Sequence, residues 1–340
     1  MEHLPGLVFE AIPGFEDHLV KELETLGLSE YKTWGDLYYA AESSIENRFY
    51  ENIFWHQNCW LNPLKIKFDS INEAAKSLRS LGRNWAPSLF TQYRRASLIS
   101  SKLPALPSKK RSFPWLLPDA PMGAFTLLDA NTMIASQNSS SPFPNGIIEF
   151  EEDKLGPPGR AYLKLWEALT LCHKWPKPGE KCLDAGASPG SWTWALLKLG
   201  ADVIAVDRAL LDPKIAANEL PGSGALPGAA PQGSLQFLKH DAFTLKPQDI
   251  GRLDWLFCDV ICYPPRLYEW IQKWLDCGLC ENFICTIKMQ GAVNAGADAD
   301  IDTDRQQADF ETPKLFAQIP GSKVVHLCHN KHELTWMRVG

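Results

Sequence analysis

Lys181-Cys-Leu-Asp-Ala-Gly-Ala-Ser-Pro-Gly-Ser-Trp-Thr-Trp194 is the stretch whose reading decides the fold. It opens as a short apolar run, Cys182 and Leu183, that ends in Asp184. The chain then turns through Gly186, Ser188, Pro189 and Gly190. It resumes as Trp192-Thr-Trp-Ala-Leu-Leu-Lys-Leu-Gly200, with apolar residues at helical spacing and a glycine stop. Strand, glycine-bearing loop and helix in that order predict a doubly wound α/β sheet, which offers such a loop and helix N-terminus to a nucleotide-like ligand.

The alternation continues outward. Ala201-Asp-Val-Ile-Ala-Val-Asp207 is a second apolar run, ending in an acid about twenty residues past the glycine loop, where a carboxylate can accept both ribose hydroxyls. A third run, Leu235 to Leu238, leads into His240-Asp241-Ala-Phe243, where Asp241 also suits a helix N-cap. Asp254-Trp-Leu-Phe-Cys-Asp259 and Glu281-Asn-Phe-Ile-Cys-Thr-Ile-Lys288 read as strands ending in an acid and a lysine. Lys164 lies on a helix, Arg160 to Leu169, before the first strand, and Glu333 opens the last strand, Leu334 to Arg338. All four are placed to converge at the mouth of the pocket.

A dinucleotide loop needs G-x-G-x-x-G so that backbone can approach the pyrophosphate. Ser188 and Pro189 remove the middle glycine, which disfavours a dehydrogenase. Asp184-x-Gly186-x-x-Pro189-Gly190 resembles instead the first motif of class I S-adenosylmethionine (SAM) methyltransferases. Such enzymes hold the adenine amino group at the position of Asp241.

A ribose hydroxyl is a poor nucleophile until its proton is drawn off. A lysine with a lowered pKa can take that proton, and a neighbouring lysine lowers it by like-charge repulsion. An aspartate and a glutamate then orient the ammonium groups. Lys164, Asp259, Lys288 and Glu333 resemble the K-D-K-E tetrad of the RlmM-like, FtsJ-type rRNA ribose 2′-O-methyltransferase family. Further likeness lies in Ser140-Ser-Pro-Phe143, Gly159 to Ala168, Leu183 to Thr193 and Trp274-Leu-Asp-Cys-Gly-Leu-Cys280. The resemblance spans about residues 137 to 340, and the family's glycine pair after the proline is here Gly190-Ser191.

The resemblance implies a C-terminal Rossmann-like catalytic domain and an N-terminal α+β module, ferredoxin-like plus a reduced THUMP-like part that binds RNA. On that resemblance, residues 1–85 are similar to the first part, 86–153 are expected to be a short THUMP-like or linker region, and 154–340 are expected to form the SAM-dependent methyltransferase domain. The implied cofactor is SAM, held by Asp184, Gly186, Ser188, Pro189, Gly190, Trp192, Asp207, Asp241 and Asp259. The implied catalytic set is Lys164, Asp259, Lys288 and Glu333, and the implied substrate a cytidine of large-subunit (23S) rRNA. Two alternatives stay open. Cys262-Tyr-Pro-Pro265 is a degenerate form of an amino-group methyltransferase motif, with Arg266 where a stacking aromatic belongs. A catalytically idle SAM- or RNA-binding protein is the other.

Within residues 1–85, Leu7 to Ile12 and Leu64 to Phe68 read as strands and Tyr31 to Ala41 as a strand or hairpin. Phe15 to Leu26, Phe49 to Asn58 and Ile71 to Leu81 read as helices. Residues 86 to about 122, rich in Pro and Ser, read as irregular connection, and Ala124 to Ala135 as one more strand. Pro221 to Gly233 predicts a flexible insertion, and Gly291 to Asp304 a disordered loop over the active site.

With 340 residues the chain can form two domains, and its net charge of −6 disfavours coating nucleic acid by bulk electrostatics. A local basic patch of Arg94, Arg95, Lys102 and Lys109-Lys-Arg111 is the exception. Nine cysteines, scattered mostly along apolar runs, predict reduced buried thiols in the cytoplasm. Cys277, Cys280, Cys285, His326, His329 and His332 lack a clear paired spacing, so no metal is expected. No run of eighteen apolar residues predicts a membrane span. The sequence does not fix the oligomeric state.

Overall fold

The computed structural model describes residues 1–41, 49–106, 110–218, 233–289 and 303–340 and, of 49 and 303–306, the backbone only. The chain divides into two compact units. One comprises Met1–Arg111 and Leu117–Glu149; the other comprises Ser112–Leu116 and Phe150–Gly340. Lys109, the insertion read at Pro221 to Gly233 except its last residue, and the loop read at Gly291 to Asp304 up to 302 lie outside the described residues.

The first unit holds two five-stranded sheets. In chain order its elements are β1 (Glu2–His3), β2 (Leu7–Ala11), α1 (Glu16–Thr25), β3 (Tyr31–Trp34), β4 (Leu37–Ala40), β5 (His56–Leu61) and β6 (Leu64–Lys67). There follow α2 (Ile71–Leu81), β7 (Trp85–Pro87), α3 (Tyr93–Ser100), β8 (Gly123–Leu127), β9 (Thr132–Ser136) and β10 (Asn138–Ser139). One sheet runs β10-β5-β2-β4-β3. Its last four strands, all antiparallel to their neighbours, have the order of a split β-α-β ferredoxin-like sheet. Leu7, Phe9, Leu19 and Leu23 build the core beneath it.

Three expectations are corrected here. Phe49 to Asn58 is not one helix: after a single 3₁₀ turn at Phe49–Asn52, His56–Leu61 forms a strand. Its neighbour β2 supplies a ladder that local pattern could not reveal. Residues 86 to 122 are not all irregular, since they hold part of β7 and the whole of α3. Ala124 to Ala135 is a two-stranded hairpin.

The second sheet, β1-β6-β9-β8-β7, takes β6 and β7 from the first 87 residues and β8 and β9 from beyond them. Ile66, Ala75, Leu78, Ile99, Phe125 and Met133 share its core. The boundary expected at residue 85 therefore falls within one sheet.

The second unit follows the predicted alternation. Its elements are α4 (Tyr162–Leu171), β11 (Lys181–Ala185), α5 (Ser191–Lys198), β12 (Asp202–Asp207), α6 (Pro213–Ala216), β13 (Leu235–Lys239) and α7 (Pro247–Ile250). They continue as β14 (Trp255–Cys258), α8 (Pro264–Cys277), β15 (Asn282–Lys288), α9 (Thr303–Ala317), β16 (Ser322–Val325) and β17 (Glu333–Arg338). The sheet order is β13-β12-β11-β14-β15-β17-β16. The first five strands are parallel, in doubly wound order, and β17 runs against them. Both faces are covered, so strands such as Trp255–Cys258 are apolar throughout. Residues 112–116 belong here rather than with a linker, because Phe113 stacks on Trp166 at 5.0 Å.

Parallel strands deliver their carboxyl ends to one edge. Asp207, the residue after β14 (Asp259) and Lys288 therefore share that edge. The reversed β17 begins where β15 ends, and Glu333 pairs in register with Lys288.

Candidate active site

The four residues converge. Lys164 Nζ lies 3.0 Å from Asp259 Oδ1 and 2.7 Å from Glu333 Oε1. Lys288 Nζ lies 2.8 Å from the same Asp259 oxygen and 3.2 Å from Glu333 Oε2. Two ammonium groups thus alternate with two carboxylates in a closed ring. Thr286, two residues before Lys288 on the same face of β15, donates its hydroxyl to Asp259 Oδ1 at 2.6 Å.

Burial would raise the Asp259 carboxyl, but the Lys164 and Lys288 charges outweigh it and hold the group below its usual value. For Lys288 burial pulls downward, yet Asp259 and Glu333 prevail and its pKa is raised. This corrects the expectation of a lysine lowered by its neighbour. Both carboxylates stand within direct ion-pair distance of Lys288 Nζ, 2.8 and 3.2 Å, and their attraction outweighs burial.

The glycine loop is built around Asp207. Its Oδ2 accepts the Ser188 N–H at 3.0 Å and its Oδ1 the Ala209 N–H at 2.8 Å, so the strand end faces the loop. Gly186 has φ +83°, and a Cβ there would stand 2.6 Å from Val260 Cγ2. Only glycine lets the loop close on the backbone next to Asp259, whose N–H donates to the Ala185 carbonyl at 3.0 Å. Gly190, Pro189 and Ser188 complete the turn, and no side chain caps the first turn of α5.

Three of the expected cofactor contacts have other partners. Asp184 is fully buried and accepts the Thr193 hydroxyl at 2.6 Å, bracing α5 from behind the loop. Trp192 is buried and donates its indole N–H to the Ala161 carbonyl at 2.8 Å, fixing the start of α4 and with it Lys164. Both side chains are buried, and these bonds brace α5 and the start of α4. Asp241 accepts the Phe243 N–H at 3.0 Å as the cap of a 3₁₀ turn and pairs with Arg266 at 3.2 Å. Arg266 also lies 4.6 Å above the Phe243 ring.

Pro264 and Pro265 open α8, where a missing N–H costs nothing. That explains the proline pair without amino-group chemistry. Cys280 and Cys285 are buried free thiols. Sequence reading missed Thr286, Thr193 and Glu167. Thr286 shares strand period with Lys288, and Glu167 is one helical turn from Lys164, so the spacing held the signal for both.

Residues 158–291 match the family described as FtsJ-like methyltransferase. The FtsJ-like stretch covers the glycine loop, Lys164, Asp259 and Lys288. Among curated relatives, Ribosomal RNA large subunit methyltransferase M from Xanthomonas oryzae pv. oryzae is 32% identical over 226 residues, 64% of this chain and 57% of that protein. The protein of the same name from Xanthomonas campestris pv. campestris is 32% identical over 227 residues, with the same coverage. The chain thus spans less than two thirds of the length of the relatives it matches. Among solved structures, TrmN from Thermus thermophilus aligns with 98% of this chain and 99% of its own at 14% identity and a TM-score of 0.32, too low to carry an argument.

Within the second unit, burial pushes the Asp184 carboxyl up to about 7, against the Thr193 hydrogen bond that lowers it. The neutral form is therefore favoured by folding. Its contribution is complete below the unfolded value near 4 and is lost as pH rises through about 7. Between pH 5 and pH 8 this one group is expected to cost about 3 kcal/mol. Urea unfolding of Asp184→Asn at both pH values should show that loss removed. Glu10 in the other unit, also raised to about 7 by burial, leaves a second slope in place. An unchanged slope in the second unit would show that Asp184 ionises freely when folded.

Proposed function

We propose that the chain is a SAM-dependent RNA ribose 2′-O-methyltransferase acting in the cytoplasm on large-subunit rRNA, with a cytidine of 23S rRNA as target. The observation that carries the reading is the closed ring of two lysines and two carboxylates at the carboxyl edge of the sheet, beside the glycine loop. An amine nucleophile needs no such base. An alcohol does.

The residues present fit the cofactor. Asp207 at the end of β12 offers acceptors for ribose hydroxyls, Gly186 to Gly190 give an open backbone turn, and Asp241 stands after β13. When bound, SAM supplies the methyl group on its sulfonium. Lys288 takes the 2′-hydroxyl proton at Nζ once it has lost its own, while Lys164, Asp259 and Glu333 hold it in place. Asp184 and Trp192 keep α5 and α4 fixed beneath the loop.

RNA recognition is assigned to the first unit. There Arg94 and Tyr93 are exposed on α3, and Arg95 lies 5.6 Å from the Phe68 ring. Its second sheet is read as the reduced THUMP-like part.

Purified protein, labelled SAM and unmodified large-subunit rRNA test the proposal. One 2′-O-methylated cytidine is the expected product; a methyl group on a base nitrogen, or none, would sink it. Asp207→Ala should weaken SAM binding by about tenfold or more in calorimetry, since two hydrogen bonds to a charged acceptor are lost.

A further inference from the structure

Glu167 is nearly as buried as any group in the protein, 2% exposed, although it carries a carboxylate. It lies on α4 three residues after Lys164. Its Oε1 accepts the Cys328 N–H at 2.9 Å. Its Oε2 accepts the His329 N–H at 3.1 Å and meets His329 Nδ1 at 2.6 Å and Cys328 Sγ at 3.2 Å. These bonds are confined to one turn, and that turn leads in four residues to Glu333. Asn330 continues the path, donating its amide to the Glu333 carbonyl and to Thr335 Oγ1, each at 3.1 Å. His329 is further held by the Phe150 ring, 5.9 Å away.

From this geometry we infer that Glu167 and His329 are positioning residues: the clasp between them ties the helix carrying Lys164 to the turn delivering Glu333 and so sets the width of the tetrad. The inference rests on the reading of that tetrad as the catalytic centre. Lys164 and Glu333 come from α4 and β17, elements far apart in sequence, and the clasp joins α4 to the turn that leads into β17, one helical turn along α4 from Lys164. A buried carboxylate that accepts two backbone N–H groups has little freedom to move, because releasing them would leave donors unsatisfied.

Glu167, Cys328 and His329 also have the donor types of a metal site, with ligand atoms within 4.8 Å of one another. The spacing favours direct hydrogen bonding. Two ligands of a tetrahedral zinc with bonds of 2.0–2.1 Å stand about 3.3 Å apart, whereas His329 Nδ1 and Glu167 Oε2 are 2.6 Å apart.

The clasp can be read through Lys288, which shares the Glu333 carboxylate with Lys164. Lys288 is faced by Asp259 and Glu333, with Lys164 across the ring and the thiols of Cys258 and Cys262 nearby, both pushed up by burial. If the clasp holds Glu333 in place, loosening it withdraws one carboxylate from Lys288, and the ammonium should titrate at lower pH.

The experiment compares wild type, Glu167→Gln and His329→Gln in full-length protein. Nitrogen-15 NMR of the lysine Nζ atoms, with Lys288 assigned through Lys288→Arg, follows titration without RNA or SAM. Methyl transfer gives kcat and KM, and melting gives stability. In both variants Lys288 should titrate lower, kcat should fall by about 10²-fold from misplacement of the reacting groups, and KM for SAM should stay within about twofold. His329→Gln keeps the two backbone bonds to Glu167, so it reports on the clasp even where Glu167→Gln fails to fold. Lower melting temperatures with unchanged Lys288 titration and unchanged kcat would overturn the inference, as would one equivalent of zinc in the purified protein. Absence of methyl transfer by wild type would overturn the proposed function alone, because the NMR titration stands apart from it.

Discussion

Lys288→Ala is expected to lower the rate of methyl transfer by about 10³-fold or more while leaving SAM affinity within a few-fold of wild type. General-base catalysis is worth roughly 10²–10⁴-fold, and here the loss also unbalances the two carboxylates. Lys288→Arg should fail as well, since a guanidinium keeps the charge and the fork but not a removable proton. Because Asp259 and Glu333 raise the Lys288 pKa, the reactive neutral amine is a minor form at neutral pH. The wild-type rate should therefore climb with pH, about tenfold per unit for a single proton, and keep climbing beyond the ordinary range of a lowered catalytic lysine. Single-turnover rates across pH would decide it. A flat profile, or an arginine variant with substantial activity, would leave Lys288 only as a positive charge.

Lys164→Ala has the largest expected effect on stability. Lys164 is 7% exposed, and its ammonium bonds both carboxylates of the ring. Its removal leaves Asp259 and Glu333 sharing Lys288 in a desolvated site, and breaking a buried pair on one side costs about 3–5 kcal/mol. Urea unfolding measures this directly. The double variant Lys164→Met/Glu333→Gln should recover part of the loss, since it removes one charge of each sign. A loss under about 1 kcal/mol for Lys164→Ala would mean that the ring behaves like a surface pair, in reach of water.

The second unit was legible in the sequence because its signals are local. Cys182 to Gly190, Asp202 to Asp207 and Asn282 to Lys288 each show a strand period followed by the residue that the sheet edge presents. The charge state of Lys288 was not legible, because it depends on Asp259 and Glu333, whose distances are set by strand order. Asp184 and Trp192 lie in the glycine-loop motif, and their burial and their bonds to Thr193 and to the Ala161 carbonyl depend on α5 and α4 packing there. In the first unit, Phe49 to Asn58 resembled a helix, whereas His56 to Leu61 is a strand that pairs with β2, and β6 and β7 pair with strands more than thirty residues on. Pairings at that range leave no mark in the local pattern.

The position of β17 has a consequence for how the protein is made. In chain order β17 follows β16, yet in space it lies between β15 and β16. A nascent chain that has emerged as far as β15 already holds Lys164, Asp259 and Lys288, with two ammonium groups and a single carboxylate. The ring is neutral only after Glu333–Arg338 has threaded alongside β15. Until that late, long-range step is complete the ring lacks its second carboxylate, so the proposed centre is assembled only after translation has passed β17.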